Sequence, residues 1–336
     1  MNHRISAVFT GLAAALVVVG LVAMSAAGQA PVAEAEEDAF APSQTPWGDP
    51  NLQGIWSPGY ILTPLERPDE FAEQEFLTDD DVAALEETAS VGRRDVRSEP
   101  GSVADVEGAY NEAFTGRGKE VIQTRRTSLI VDPPNGKIPF TPQGQEVAEA
   151  TRRKMASELA DGPEDRRDLD RCRGVSLPFI SGTSGTYSRV VQTPGSVTFY
   201  HEDGHIGGVY RTVHMDGRPH LPAHIRQWLG DSIGRWEGDT LVVDTTNFTN
   251  LTSFNGSGDQ LHLVERFTPV SADLIMYQAT VTDSMAWTRD WTIELPLQRI
   301  NNAQNQIFEA ACHEGNYAMT SILAGARVIE QRGSGR

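Results

Sequence analysis

Between residues 187 and 311 the chain repeats short runs of alternating apolar and polar residues, and this pattern constrains the fold more than any other feature. Asp203-Gly204 and Gly238-Asp239 each lie between two such runs, and dipeptides of this kind are typical of tight β-hairpins. The pattern predicts a mainly β fold, an antiparallel barrel or sandwich of about eight strands. A barrel of about eight strands is wide enough to hold one small ligand.

The region before these strands, residues 51–186, predicts an irregular wrap with two helices. One helix is predicted over residues 77–89, with Thr78 as N-cap, and the other over residues 141–162, with Thr141 as N-cap.

The wrap has too few periodic segments for a hydrophobic core of its own. Residues 51–336 are therefore predicted to form a single globular domain, which ends in a C-terminal segment over residues 312–336.

The chain begins with two features of a secretory signal peptide. His3 and Arg4 precede the apolar run AVFTGLAAALVVVGLVAM, and small residues follow it. Residues 1–30 are predicted to be a signal peptide, with an uncleaved anchor helix as the alternative, and residues 31–50 a disordered linker. The mature protein is then expected to be periplasmic or secreted and not attached to a membrane.

The charge is unevenly distributed. The formal net charge is −18, and residues 34–112 hold 20 acidic and 4 basic residues. Nucleic-acid binding needs a basic stripe, and the sequence has none, so a small-molecule partner is expected. The oligomeric state stays open.

The two cysteines, Cys172 and Cys312, are predicted to form a disulfide, since a secreted chain enters an oxidising space. The alternative is a catalytic thiol at Cys312, next to His313. Neighbouring residues on a strand point to opposite faces, which disfavours that pairing.

The stretch DGRPHLPAH places His220 and His224 at the spacing of a helical metal pair. Pro222 lies between them. Because proline is tolerated only in the first turn of a helix, the two histidines cannot both lie within one helix. We expect a short helix, PAHIRQWL, to begin at Pro222 and His220 to lie on a rigid loop. A metal site built from loops stays open, but no metal and no other cofactor is predicted.

A hairpin centred on Asp203-Gly204 would pair His201 with Ile206. Tyr210 and His214 would then share the face of His201, as an aromatic pocket or, if the other face is the core, as a solvent-facing row.

In LHLVERF, Glu265 shares a face with leucine and phenylalanine side chains. A buried carboxylate is costly unless it is paired or protonated, so Glu265 is either a general acid–base group or a structural partner of Arg211 or Arg235. Asp244 shares the face of Val242 on the preceding predicted strand.

The stretch DGRPHLPAHIRQWLGDSIGRWEGDTLVVDTTNF, together with RRTSLIVDPP, LHLVERF and ACHEGNY, resembles a widespread set of uncharacterised secreted bacterial proteins. The GRWEGDTLVV hairpin also resembles calycin barrels of the lipocalin type. The first resemblance implies secretion and no particular activity, and the second implies a ligand-holding barrel.

The sequence thus favours a secreted enzyme that uses cofactor-independent acid–base chemistry, as a lyase, isomerase or hydrolase, on a small molecule in the barrel. The predicted catalytic residues are Glu265, His220 and His214, and the predicted substrate-binding residues are Arg218, His201, Tyr210, Trp228 and Asp244. The alternative is a lipocalin-like binding protein without catalysis. Converging titratable groups would favour catalysis, and a smooth apolar cavity would favour binding alone.

Overall fold

One sheet of ten strands dominates the computed structural model of the protein. The structure describes residues 40–61, 63–91, 99, 101–102, 118–157, 159–166, 168–172, 174, 176–180, 187–202, 208–251, 254–300, 306–307 and 317–333. The strands are β1 (Gly54–Ser57), β2 (Ile130–Asp132), β3 (Tyr187–Thr193), β4 (Ser196–Glu202), β5 (Val209–His214), β6 (Asp231–Glu237), β7 (Thr240–Thr246), β8 (His262–Ser271), β9 (Leu274–Thr282) and β10 (Trp291–Arg299).

The sheet closes into a barrel because its first strand pairs with both β3 and β10. Nine strands form the closed wall, and β2 pairs with the first residues of β10, whose last residues pair with β1. A barrel is therefore confirmed, but the prediction of about eight antiparallel strands is corrected in two respects. The N-terminal region contributes β1 to the wall, and β5 and β6 run parallel to each other.

Alternation along the strands fills the barrel interior with apolar side chains. On β8, for example, Leu263, Glu265 and Phe267 are buried while the residues between them are half-buried. Strand residues of one face repeat every second position, so neighbouring strands add matching rows. Phe267 packs against Phe199 and Tyr277, with ring centroids 4.9 Å apart in both pairs. Aromatic contacts of this kind make up the centre of the core.

Both predicted helices of the N-terminal region are present, as α1 (Asp79–Val91) and α2 (Pro142–Ala156). Thr78 Oγ1 accepts a hydrogen bond from the backbone N–H of Asp81, and Thr141 Oγ1 accepts one from Gly144, so both threonines cap their helices as expected. A single-turn helix follows, α3 (Asp168–Arg171), and a long helix, α4 (Tyr317–Gly333), occupies most of the segment that was expected only as a C-terminal extension.

Part of the expected linker is ordered. Residues 40–50 form a turn in which Thr45 and Asp49 exchange backbone and side-chain hydrogen bonds, and Gln44 pairs with Pro50. The predicted signal peptide and residues 31–39 lie outside the described residues. The predicted disulfide stays a prediction, because Cys312 also lies outside them. Among the described residues, no helix has the length and apolar character that crossing a membrane requires.

Candidate functional site

The parallel pairing of β5 with β6 determines where the DGRPHLPAH stretch lies. Parallel neighbours cannot be joined by a tight turn and need a long crossover, which residues 215–230 provide. This crossover runs over the outer face of β6 and β7, where Gln227 forms an isolated parallel bridge with Phe248. Gly230 ends it at φ +68°, and an added Cβ there would lie 2.6 Å from the carbonyl oxygen of Thr246. A glycine is therefore needed at the entry to β6.

Asp231, the first residue of β6, anchors the crossover. Its side chain is only 3% exposed, and its Oδ2 accepts hydrogen bonds from Arg218 Nη1 at 3.1 Å, from the Leu221 N–H at 3.0 Å and from His220 Nδ1 at 3.1 Å. Arg218 Nη2 bonds to the other oxygen. Burial by itself raises the pKa of Asp231, but these hydrogen bonds, with Arg218 foremost, lower it to about 2. Asp231 is therefore ionised at neutral pH.

His220 lies between two carboxylates. Its Nδ1 is 3.1 Å from Asp231 Oδ2, and its Nε2 is 3.0 Å from Asp244 Oδ1. The two aspartates therefore hold both ring nitrogens and fix the orientation of the His220 ring. The expectation that a rigid loop aims this side chain agrees with its contacts.

His262 makes the second contact to Asp244. Its Nε2 lies 3.0 Å from the same oxygen, Oδ1, that faces His220. The hydrogen bond to Asp244 raises the pKa of His262, and the hydrogen bond from His262 lowers the pKa of Asp244. The His262 side chain is 41% exposed, so it is the member of the cluster most open to solvent. Sequence reasoning missed His262, although its position opposite Glu265 in the strand alternation already placed it on the outer face.

Asn247 holds the crossover at a second point. Its Nδ2 lies within hydrogen-bond distance of the carbonyl oxygens of Leu221, Pro222 and Ile225, at 2.9, 3.2 and 3.1 Å. The residue adopts φ +60°, a conformation that asparagine tolerates better than most residues. This role could not be predicted from the sequence, because a lone asparagine after a strand has many possible uses.

Glu265 lies on the other side of the barrel wall and is fully paired. Its Oε2 is 2.5 Å from Arg211 Nη2, its Oε1 accepts a hydrogen bond from the Tyr277 hydroxyl at 2.9 Å, and both charged side chains are 2% exposed. Arg211 also donates to Ser232 and Thr245. This is the ion pair with Arg211 that was one of the two interpretations of Glu265.

The predicted face of β4 and β5 is corrected. His201 pairs with Val209 instead of Ile206, which turns Arg211 inward and Tyr210 and His214 outward. The connection between β4 and β5 is longer than the expected two-residue turn. Tyr210 is 73% exposed and stacks on Tyr200 across the outer face, with ring centroids 4.6 Å apart.

The expected helix at Pro222 is not formed. The segment contains a turn in which the Ile225 N–H donates to the Pro222 carbonyl, followed by the isolated bridge at Gln227 and a second turn at residues 228–229. His224 is exposed in this turn, and Trp228 is half-buried in the crossover. Asn247 hydrogen-bonds to three carbonyl groups of residues 221–225, and these contacts explain why the chain forms a turn here instead of a helix.

The predicted residues Arg218, His220 and Asp244 therefore belong to a group on the outer face of the wall, and Glu265 and His201 belong to a group on the inner face. The outer group also contains Asp231 and His262, which the sequence analysis did not single out. The outer group, which we call the His–Asp cluster, thus consists of Arg218, His220, Asp231, Asp244 and His262. Among the described residues, no set of three or more His, Cys, Asp or Glu side chains is arranged to hold a metal ion.

The chain was compared with protein-family models, with curated proteins and with solved structures, and none of them matches it. The resemblances to uncharacterised secreted proteins and to calycin barrels therefore stay predictions, and the function must be argued from the site.

Proposed function

We propose that the protein is an enzyme that uses the His–Asp cluster for general acid–base catalysis on a small molecule. The observation that carries the proposal is the convergence of two imidazole nitrogens, Nε2 of His220 and Nε2 of His262, on one oxygen of Asp244 at 3.0 Å. Three titratable groups that meet at one point can give and take protons in a single step.

In this proposal His262 donates a proton to an oxygen atom of the substrate. The hydrogen bond to Asp244 raises the pKa of His262 and so favours the protonated form, and His262 is the cluster residue that solvent reaches most easily. Asp244 takes the proton that the substrate, or an attacking water, gives up. Once His262 has lost its proton, the hydrogen bond that lowers the Asp244 pKa weakens, and the carboxylate becomes a stronger base. Proton return from Asp244 to His262 restores the resting state.

His220, Asp231 and Arg218 hold this pair in place. Because both Arg218 Nη groups bond to Asp231, Arg218 has a positioning role in this proposal instead of the substrate-binding role predicted from the sequence. Glu265 and His214 are left out of the proposed mechanism, since Glu265 is paired inside the barrel and His214 is not among the residues that converge on Asp244. The reaction belongs to the hydrolases, lyases or isomerases, and the N-terminal sequence suggests that it takes place in the periplasm or outside the cell.

The test is turnover of a panel of small esters, lactones and epoxides, together with deuterium exchange at the α-carbon of ketones in D₂O. We expect His262→Gln and His220→Gln to lower the rate of any reaction found by a factor of about 10²–10⁴. His224→Gln is the matched control, because His224 is an exposed histidine of the same crossover. Turnover that survives both cluster substitutions would overturn the proposal, as would a panel without any turnover.

A further inference from the structure

The barrel interior contains a cavity on the opposite face of the wall from the His–Asp cluster. Its volume is about 30 Å³, and apolar side chains make up most of its lining, including Phe199, Phe267, Ile275 and Leu295. His201 lines it with a polar edge. One water needs roughly 10–15 Å³, whereas an engineered cavity that binds benzene measures about 150 Å³. The interior as it stands has space for water but not for an aromatic ring.

His201, which lines this cavity, has one ring nitrogen without a hydrogen-bond partner among the described residues. The residue is 4% exposed, its Nδ1 is 2.8 Å from Ser188 Oγ, and its Nε2 is buried without a hydrogen-bond partner among the residues that the structure describes. Phe179 and Phe199 lie against the ring, with centroids 4.4 and 5.6 Å away, so the direction of Nε2 is fixed. A buried polar atom without a partner is costly, so a hydrogen-bonding group is expected in the cavity.

The chemistry of that group follows from the state of the imidazole. Burial, with a smaller effect of the Arg211 charge, lowers the pKa of His201 to about 3, so the ring is neutral. A neutral imidazole carries one proton. If Nδ1 donates that proton to Ser188 Oγ, Nε2 is an acceptor; if the Ser188 hydroxyl donates to Nδ1, Nε2 carries the proton and is a donor. A hydroxyl group fits both cases because it does both.

A second, larger cavity shares part of its wall with the interior cavity. It measures about 240 Å³, and Leu52 and Trp56 line both it and the interior cavity. Trp56 donates from Nε1 to the Leu52 carbonyl at 2.9 Å, and its ring lies 4.2 Å from the guanidinium carbon of Arg299. Leu52 and Trp56 therefore separate the two cavities, and a turn of the Trp56 side chain would join them. The joined volume approaches the roughly 300 Å³ at which small-molecule sites begin.

We propose that the barrel interior is a binding site for a small apolar or aromatic molecule with one hydroxyl group, whose oxygen hydrogen-bonds to His201 Nε2. The apolar part of this ligand occupies the space opened at Trp56. Such a site is distinct from the proposed catalytic cluster and does not depend on it.

The probes for the test are 4-fluorophenol and 4-fluorotoluene, titrated against the mature protein and followed by ¹⁹F NMR. We expect the phenol to bind a few-fold to about tenfold more tightly than the toluene, which is what one neutral hydrogen bond supplies. His201→Phe should abolish this preference and keep toluene binding. Tyr210→Phe is the control, because it removes a hydroxyl on the outer face.

A second measurement needs no variant. In protein labelled with ¹⁵N-histidine, 4-fluorophenol should shift the Nε2 resonance of His201 and leave that of His262 in place. Failure of both probes to bind, a preference that survives His201→Phe, or an unshifted His201 resonance would each overturn the inference. None of these results bears on the His–Asp cluster, and loss of activity in His262→Gln would not bear on binding inside the barrel.

Discussion

Replacing Asp231 by asparagine should destabilise the protein, because Asp231 anchors the crossover at the start of β6. The carboxylate accepts four hydrogen bonds from three residues, Arg218, His220 and Leu221. An asparagine side chain offers one accepting oxygen in place of two, so its NH₂ group would face a donor of Arg218. The buried arrangement would then lose both its charge pairing and part of its hydrogen bonding.

The pKa of Asp231 gives the size of this effect. A fall from the ordinary value of 3.8 to about 2 corresponds to roughly 2–3 kcal/mol of stability at neutral pH. Removal of one partner from a buried ion pair costs about 3–5 kcal/mol, and Arg218 is 23% exposed, so the lower part of that range applies. We therefore expect Asp231→Asn to lower the free energy of unfolding by about 2–4 kcal/mol at pH 7.

The pH dependence of this loss has a defined sign. A carboxylate with a lowered folded-state pKa stabilises the protein above its unfolded pKa, and the stabilisation is lost as the pH falls through the folded pKa. The difference between wild type and Asp231→Asn should therefore shrink below pH 4 and reach about half its full value near pH 3.

The assay is urea denaturation followed by tryptophan fluorescence at pH 7 and pH 3. Asp216→Asn is the matched control, because Asp216 is an exposed aspartate of the same loop, and its change should stay within about 0.5 kcal/mol. Equal losses for the two variants, or a loss for Asp231→Asn that is the same at both pH values, would refute the reasoning.

Substitutions at three further positions, His262, Asn247 and Glu265, test the remaining contacts by urea denaturation. His262→Gln should lower the free energy of unfolding by no more than about 1 kcal/mol, because the side chain is 41% exposed. The hydrogen bond to Asp244 raises the pKa of His262, so this loss of stability should be present at pH 5.5 and fade as the pH rises to 9. Asn247→Ala should cost about 1–3 kcal/mol and speed amide exchange in the crossover, and Asn247→Gly, which keeps φ +60° accessible, should cost less. Glu265→Gln should lower the free energy of unfolding by about 3–5 kcal/mol, because it breaks a buried ion pair. Glu237→Gln, in an exposed ion pair, should lower it by less than about 1 kcal/mol. Equal losses would contradict the assignment of Glu265 as a buried ion-pair partner of Arg211.

Local sequence signals predicted those parts of the barrel that depend on local geometry. The Gly238-Asp239 turn joins β6 and β7 with Glu237 paired to Thr240, as a two-residue hairpin requires. The alternation in β8 correctly placed Glu265 inside. In each case the turn type or the pleat determines the result within a few residues.

The predictions failed where the answer depends on distant pairing. The register between β4 and β5 places Arg211 on the inner face instead of Tyr210, and β5 and β6 are parallel, whereas the sequence pattern predicts an antiparallel barrel. The strand β1 was read as part of a wrap because its pairing partners lie more than a hundred residues away. The alternation of a strand specifies that two faces differ, but the neighbouring strands decide which face is inside.

The same nonlocal pairing creates the candidate site. Asp231, Asp244 and His262 lie at or near the starts and middles of three successive strands, and the pairing of these strands places all three side chains on the outer face. An antiparallel hairpin between β5 and β6 would leave this face without a cover. The parallel connection forces residues 215–230 across it, and this brings Arg218 and His220 onto the aspartates. Proline and the Asn247 contacts then keep the crossover from relaxing into a helix that would turn His220 away. The cluster is thus a consequence of chain direction in one pair of strands, which explains why a nine-residue stretch rich in histidine and proline could suggest its chemistry but not its partners.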